Sequence, residues 1–133
     1  MKYFNIKELT KSATATAKKL DNTPTELAEK NLITLVEKVL DPLRELYGKP
    51  IIVNSGYRSP EVNKAVKGAK TSQHVLGEAA DITAGSKEEN KKLFELIRDN
   101  FEFDQLINEN DYSWIHVSYR EGRLRKLILK LSK

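Results

Sequence analysis

FDQLINENDYSWIHVSYREGRLRKLILKL, residues 103–131, holds three short apolar runs separated by polar residues of the kind that make turns. FDQLINE, WIHVSY and LRKLILKL each have the length and composition of a strand, and NDYS and REGR join them. Upstream the period changes. In SKEENKKLFELIRDN, residues 86–100, Leu93, Phe94, Leu96 and Ile97 make a helical stripe, and Ser86 with Glu89 makes a capping box, so a helix is expected to pack on the sheet. AADIT and PIIVNSGYRS supply two more short strands, and SPEVNKAVKG a brief helix with Ser59 at its cap and Pro60 at its first position. Further out, TPTELAEKNLITLVEKVLDPLRELYGKP reads as one long core helix, capped by Thr23, with Pro24 first, Glu26 completing a box, and Gly48 and Pro50 as the stop. Its apolar face is expected to comprise Leu27, Leu32, Leu35, Val36, Val39, Leu43, Leu46 and Tyr47, with a kink at Pro42. NIKELTKSATATAKKL adds a further helix. Helices followed by a run of strands predict an α+β fold, a small and largely antiparallel sheet packed against helices. With no repeat, low-complexity tract or linker, residues 1–133 read as a single domain.

Composition narrows the chemistry. The chain has no cysteine, which excludes a disulfide framework and a thiolate metal site and leaves imidazole and carboxylate as metal ligands. The start, MKYFNIKELTKSA, has no signal-peptide pattern, and no run approaches the roughly 20 apolar residues of a membrane span, so synthesis without a signal peptide and no membrane insertion are expected. A net charge of +4 suits an anionic neighbourhood. The basic C-terminal stretch alternates cations with apolar residues as an edge strand does, which argues against nucleic-acid binding.

The chain has two histidines, His74 in TSQHVLGEAADIT and His116 in WIHVSY. Both fall on or beside strands of one small sheet, as does Asp81. Two imidazoles and a carboxylate suffice to hold zinc with an open fourth position, although the same residues also suit ordinary buried hydrogen bonding. His74 and Asp81 do not share a helix face at this spacing; Gly77 between them permits a turn that brings loop and strand together.

SQHVLGEAAD, residues 72–81, fits the pattern Ser-x-His-x-x-Gly-x-Ala-x-Asp and resembles the zinc D-Ala-D-Ala peptidases, the family of DD-carboxypeptidases and L-alanyl-D-glutamate endopeptidases that cut peptidoglycan stem peptides. SGYRS upstream and WIHVSY downstream resemble that family's flanking motifs, in its order, over roughly Leu32 to Tyr119. The resemblance implies a hedgehog/DD-peptidase-like fold, one zinc ion held by His74, Asp81 and His116, and an Arg58 that pairs with a substrate carboxylate or carbonyl. It also implies that Ser72 sits beside the metal and hydrogen-bonds ligand or substrate. Many relatives carry the general base three residues before the last histidine, but here that position is Ser113. Glu109, at the end of the preceding strand in an FD…E context similar to hedgehog proteins, is the expected base, and Asp111 the runner-up. Trp114, two residues before His116, is expected on the same face of its strand, walling the pocket or packing on the sheet.

These readings predict a zinc metallopeptidase of carboxypeptidase or endopeptidase type, a monomer acting on the cell wall after release or delivery, in the manner of a phage lysis enzyme. The alternative is a non-catalytic, zinc-stabilised wall- or protein-binding module on the same scaffold, which the departure at Ser113 keeps open.

Overall fold

Short polar caps open the helices of the computed structural model, which describes residues 1–132. Asn5 caps α1 (Ile6–Thr10) and Ser12 caps α2 (Ala13–Lys18), so the predicted N-terminal helix is two short ones. The cap of α3 (Glu26–Leu35) is Thr25, whose hydroxyl accepts from the Ala28 N–H at 3.1 Å. Thr23, expected there, instead donates its hydroxyl to Asp21 at 2.7 Å. The local Asx-type turn takes up the upstream threonine, and the helix starts two residues later with Glu26 as its first residue rather than the partner in a box.

The long helix continues through a π-helical turn (Val36–Leu40) into α4 (Asp41–Tyr47). Pro42 lies in the first turn of α4, and the widened turn is how the chain accommodates a residue with no amide hydrogen. Asp41 ties this point to the N-terminus by accepting from the Tyr3 N–H at 2.9 Å. Leu32, Leu35, Val36, Val39 and Leu43 are fully buried as the periodicity predicts, whereas Leu27 and Leu46 are exposed. The π-turn rotates the downstream face and leaves Leu46 outside the apolar stripe, and Leu27 lies on the first turn beside the exposed Glu26.

β1 (Ile52–Ser55), α5 (Pro60–Ala65), β2 (Ala79–Thr83) and α6 (Lys87–Asn100) follow, with Ser59 and Ser86 capping the two helices as expected. β3 (Gln105–Glu109), β4 (Trp114–Ser118) and β5 (Leu127–Leu131) complete a five-stranded sheet of order β1-β2-β4-β3-β5. All neighbours are antiparallel except β3 and β5. β4 ends where β3 begins, and residues 119–126 cross that end, so β5 enters beside Gln105 and runs with β3. The sheet is therefore mostly, not wholly, antiparallel.

Period-2 alternation divides its two faces. Ala80, Ile82, Leu106, Ile115 and Val117 point to the core and meet Leu32, Leu35, Val39, Leu93 and Ile97 from the helices. Each such leucine or isoleucine contributes about 1.5–3 kcal/mol by leaving water. The other face carries Asp81, Ile107, Glu109, Trp114 and His116, and loops fold over it to make a cleft.

Candidate metal centre and cleft

Asp81 and His116 are direct cross-strand partners in the antiparallel pairing of β2 with β4. His116 Nδ1 stands 3.0 Å from Asp81 Oδ1. His74 reaches the same oxygen from the loop before β2, with Nε2 at 3.3 Å, and the two imidazoles meet edge to face with centroids 5.1 Å apart. One ligand atom from each residue lies within 4.8 Å of the others.

Two glycines make this approach possible. Gly56, after β1, presents its carbonyl to His74 Nδ1 at 2.7 Å, and a Cβ on it would sit 2.3 Å from the Leu9 carbonyl oxygen. Gly77, at φ +74°, packs so closely on α3 that a Cβ would lie 2.3 Å from the Ala28 carbonyl oxygen. The turn between His74 and Asp81 can take its shape only with glycine there.

The bond to Gly56 orients the His74 ring. A carbonyl only accepts, so Nδ1 carries the hydrogen, and Nε2 is the ring nitrogen turned toward the Asp81 oxygen. Burial raises the Asp81 carboxyl, and the hydrogen bonds from His116 and His74 more than offset this, holding it well below the ordinary carboxylate range. A charged carboxylate oxygen converging with ring nitrogens of two imidazoles fits a zinc ion, and the Gly56 carbonyl is the partner that orients one ligand.

The cleft above these residues encloses about 960 Å³. Arg58, Ser72, Glu109 and Trp114 all line it. Arg58 is held at its backbone, which donates to the His74 carbonyl at 3.1 Å, and at its head, where Nη1 donates to Asn63 Oδ1 at 3.1 Å. Its Nε is buried with no hydrogen-bond partner among the described residues. Burial draws the guanidinium below its usual range, opposed by the charges of Asp81 and Glu109. Ser72 accepts at Oγ from the His74 N–H at 3.2 Å, so its hydroxyl shapes the histidine turn as well as facing the cleft.

Glu109 pairs with Trp114 across β3 and β4, two residues along from His116 on the same face. Asp111 is exposed, near Lys87 Nζ at 3.8 Å, and does not line the cleft. Ser113 turns its hydroxyl to the Asn110 carbonyl at 2.7 Å. The turn itself is left-handed at Asn110, Asp111 and Tyr112, with φ of 48°, 53° and 61°. It is clamped by Asn90 of α6, whose Nδ2 donates to the Tyr112 carbonyl at 2.9 Å.

Three residues in or behind the cleft wall carry no signal in the sequence. Asn63, buried in α5, positions Arg58 and donates to the Ala69 carbonyl at 2.9 Å. Gln73, next to His74, donates to Asp104 Oδ2 at 2.8 Å. Asp104 is fully buried, and although burial raises its carboxyl, the hydrogen bonds from Arg125 and Gln73 bring it below its ordinary value. The FD pair before β3 and the arginines of REGRLR are visible in the sequence, but their pairing is a long-range contact.

Residues 2–118 match the family model described as Peptidase M15. Over 49 residues, 36% of this chain, the sequence is 49% identical to a zinc D-Ala-D-Ala carboxypeptidase of Streptomyces albus G. The matched stretch spans 19% of the length of that relative.

Proposed function

The chain belongs to the peptidase M15 family, and on that premise we propose that it is a zinc-dependent peptidase hydrolysing peptide bonds in the stem peptides of peptidoglycan. The observation that supports this most directly is the convergence of His74, Asp81 and His116 at the base of a cleft large enough for a peptide. These three residues would hold the zinc, which when bound acidifies water and polarises a carbonyl. Glu109 takes the proton of the attacking water on its carboxylate and returns it to the departing amine nitrogen. Arg58, anchored by Asn63 at its guanidinium and lining the cleft, pairs with a substrate carboxylate or carbonyl. Trp114 walls the cleft beside Glu109 and limits the orientations a peptide can take there. The relative's named substrate supports a carboxypeptidase acting on a D-Ala-D-Ala terminus; an endopeptidase acting deeper in the stem uses the same machinery. In either case the work is done at the wall, outside the membrane.

The test joins metal to chemistry in one sample. Protein purified without chelator is expected to carry stoichiometric zinc and to release new amine groups from purified peptidoglycan. Glu109→Ala is expected to keep the zinc and lose the release. A zinc-loaded Glu109→Ala protein of full activity would overturn the choice of base. Zinc with binding to the wall but no release by the wild type would move the reading to a binding module.

A further inference from the structure

We propose that the segment joining β4 to β5 forms a carboxylate-binding subsite of the cleft, and that the stem peptide cut by this chain carries a free acidic side group near the scissile bond rather than its amide. This rests on the peptidase reading and adds the substrate's chemistry to it.

Arg120, Arg123 and Arg125 line the same cleft as the His–Asp–His set. All three are anchored from behind by buried acids. Arg125 grips Asp104 with two nitrogens, Nε at 2.6 Å and Nη2 at 3.2 Å. Arg123 reaches Asp104 with Nη2 alone, at 3.3 Å, and Arg120 reaches Glu78 with Nε, at 3.4 Å. The carboxylate of Asp104 is wholly buried and that of Glu78 nearly so, whereas the arginine side chains remain 42–45% exposed. The pairing therefore fixes where the guanidinium groups sit without saturating them.

The charge balance points the same way. One carboxylate, Asp104, faces two guanidinium groups, and the two-pronged grip of Arg125 leaves Arg123 as surplus cation. Lys67 and Lys70 also line the cleft, and neither forms an ion pair among the described residues. Of the acids that line it, Asp81 is committed to the imidazoles and Glu109 is the proposed base. The cleft thus holds an excess of positive charge on donors that are already oriented. A planar fork held in advance loses little freedom on meeting a carboxylate, which favours a specific anionic group over general attraction. A purely structural role would need only enough cation to neutralise Asp104, and Arg125 supplies that.

Two synthetic stem peptides test this, identical except that the glutamate carboxylate is free in one and a carboxamide in the other. Zinc-loaded wild type is expected to prefer the free acid by about tenfold in kcat/KM, the size of one charge-assisted hydrogen bond. Arg123→Gln and Arg120→Gln are expected to lower kcat/KM for the free-acid peptide, chiefly through KM, by much more than for the amide peptide, so that most of the preference is lost, and Arg123→Lys to retain part of it. Should Arg123→Gln fold poorly by thermal melting, Lys67→Gln, which disturbs no buried acid, provides the same comparison with a smaller loss. Equal cleavage of both peptides by wild type, or an equal loss on both in the variants, overturns the subsite and leaves the peptidase reading intact. If zinc-loaded wild type cuts neither, both fall together. A charge effect confined to binding of walls that carry phosphate polymers would overturn the carboxylate assignment and make the segment a polymer-docking surface.

Discussion

Replacing Gly77 by alanine tests how tightly the loop of the proposed metal site is built onto the helical layer. Two penalties are expected. At φ +74° an alanine is strained, and its Cβ would stand 2.3 Å from the Ala28 carbonyl oxygen and 3.0 Å from the Ala28 Cα. The obstacle is helix backbone, which cannot rotate away as a side chain can. Gly122, at φ +84° with open space around the same position, isolates the first penalty. Gly122→Ala is expected to lose about 1 kcal/mol from backbone conformation alone. Gly77→Ala adds an overpacking cost of about 1–3 kcal/mol, for a total of about 2–4 kcal/mol. In a chain of 133 residues each kcal/mol lowers Tm by about 4 °C, so the two variants separate clearly in a thermal melt or a urea titration. Because the Gly77 N–H donates to the His74 carbonyl at 3.3 Å, zinc affinity should fall in Gly77→Ala and hold in Gly122→Ala. Two variants of equal stability, within about 0.5 kcal/mol, would refute the contact with Ala28 as a determinant of the fold.

Asp104→Asn is expected to destabilise by about 1–2 kcal/mol at neutral pH, less than a sealed ion pair would, because the arginines it meets are partly solvated. Since its folded carboxyl is depressed, its contribution is present above the unfolded value of about 3.9 and disappears as pH falls through the lower folded value; urea midpoints of wild type and variant should converge below about pH 4, and a gap that persists into acid would contradict the assignment. Thr25→Ala should cost about 1 kcal/mol by denaturant titration and Thr23→Ala clearly less, the reverse order restoring Thr23 as the cap. Asn63→Ala releases the head of Arg58 and should lower kcat/KM about tenfold at unchanged zinc content, chiefly through KM; rescue by Asn63→Asp, which keeps an acceptor for Arg58, separates positioning from simple loss of stability.

Features that are written locally could be read from the chain. Ser59 and Ser86 announce α5 and α6, AADIT marks β2 to the residue, WIHVSY marks β4 with Tyr119 as one residue too many, and the apolar periods of 2 and 3.6 assign the core. Thr23 misled because two threonines flank a proline and a nearby aspartate competes for one of them. The direction of β5 was illegible because it depends on which end of β3 the chain passes, and no residue encodes that. The π-turn is a compromise between Pro42 and a core that continues past it. Within the cleft, SQHVLGEAAD displays its residues because their spacing is short. Asn63, Gln73 and Asp104 meet their partners only after folding, so neither composition nor period points to them.

The pairing of Asp81 with His116 has a consequence for how such a domain can diversify. Insertion or deletion of a residue within β2 or β4 would turn one of them to the opposite face, so these strands must keep their length. Residues 66–71 and 119–126 are under no such constraint, yet they contribute Lys67, Lys70, Arg120, Arg123 and Arg125 to the cleft. The proposed metal ligands of β2 and β4 and the proposed carboxylate subsite thereby lie in separate stretches of chain. If the proposed reading holds, grafting different loops onto an untouched β2–β4 pair is the natural route to new specificities, in evolution and in the laboratory alike.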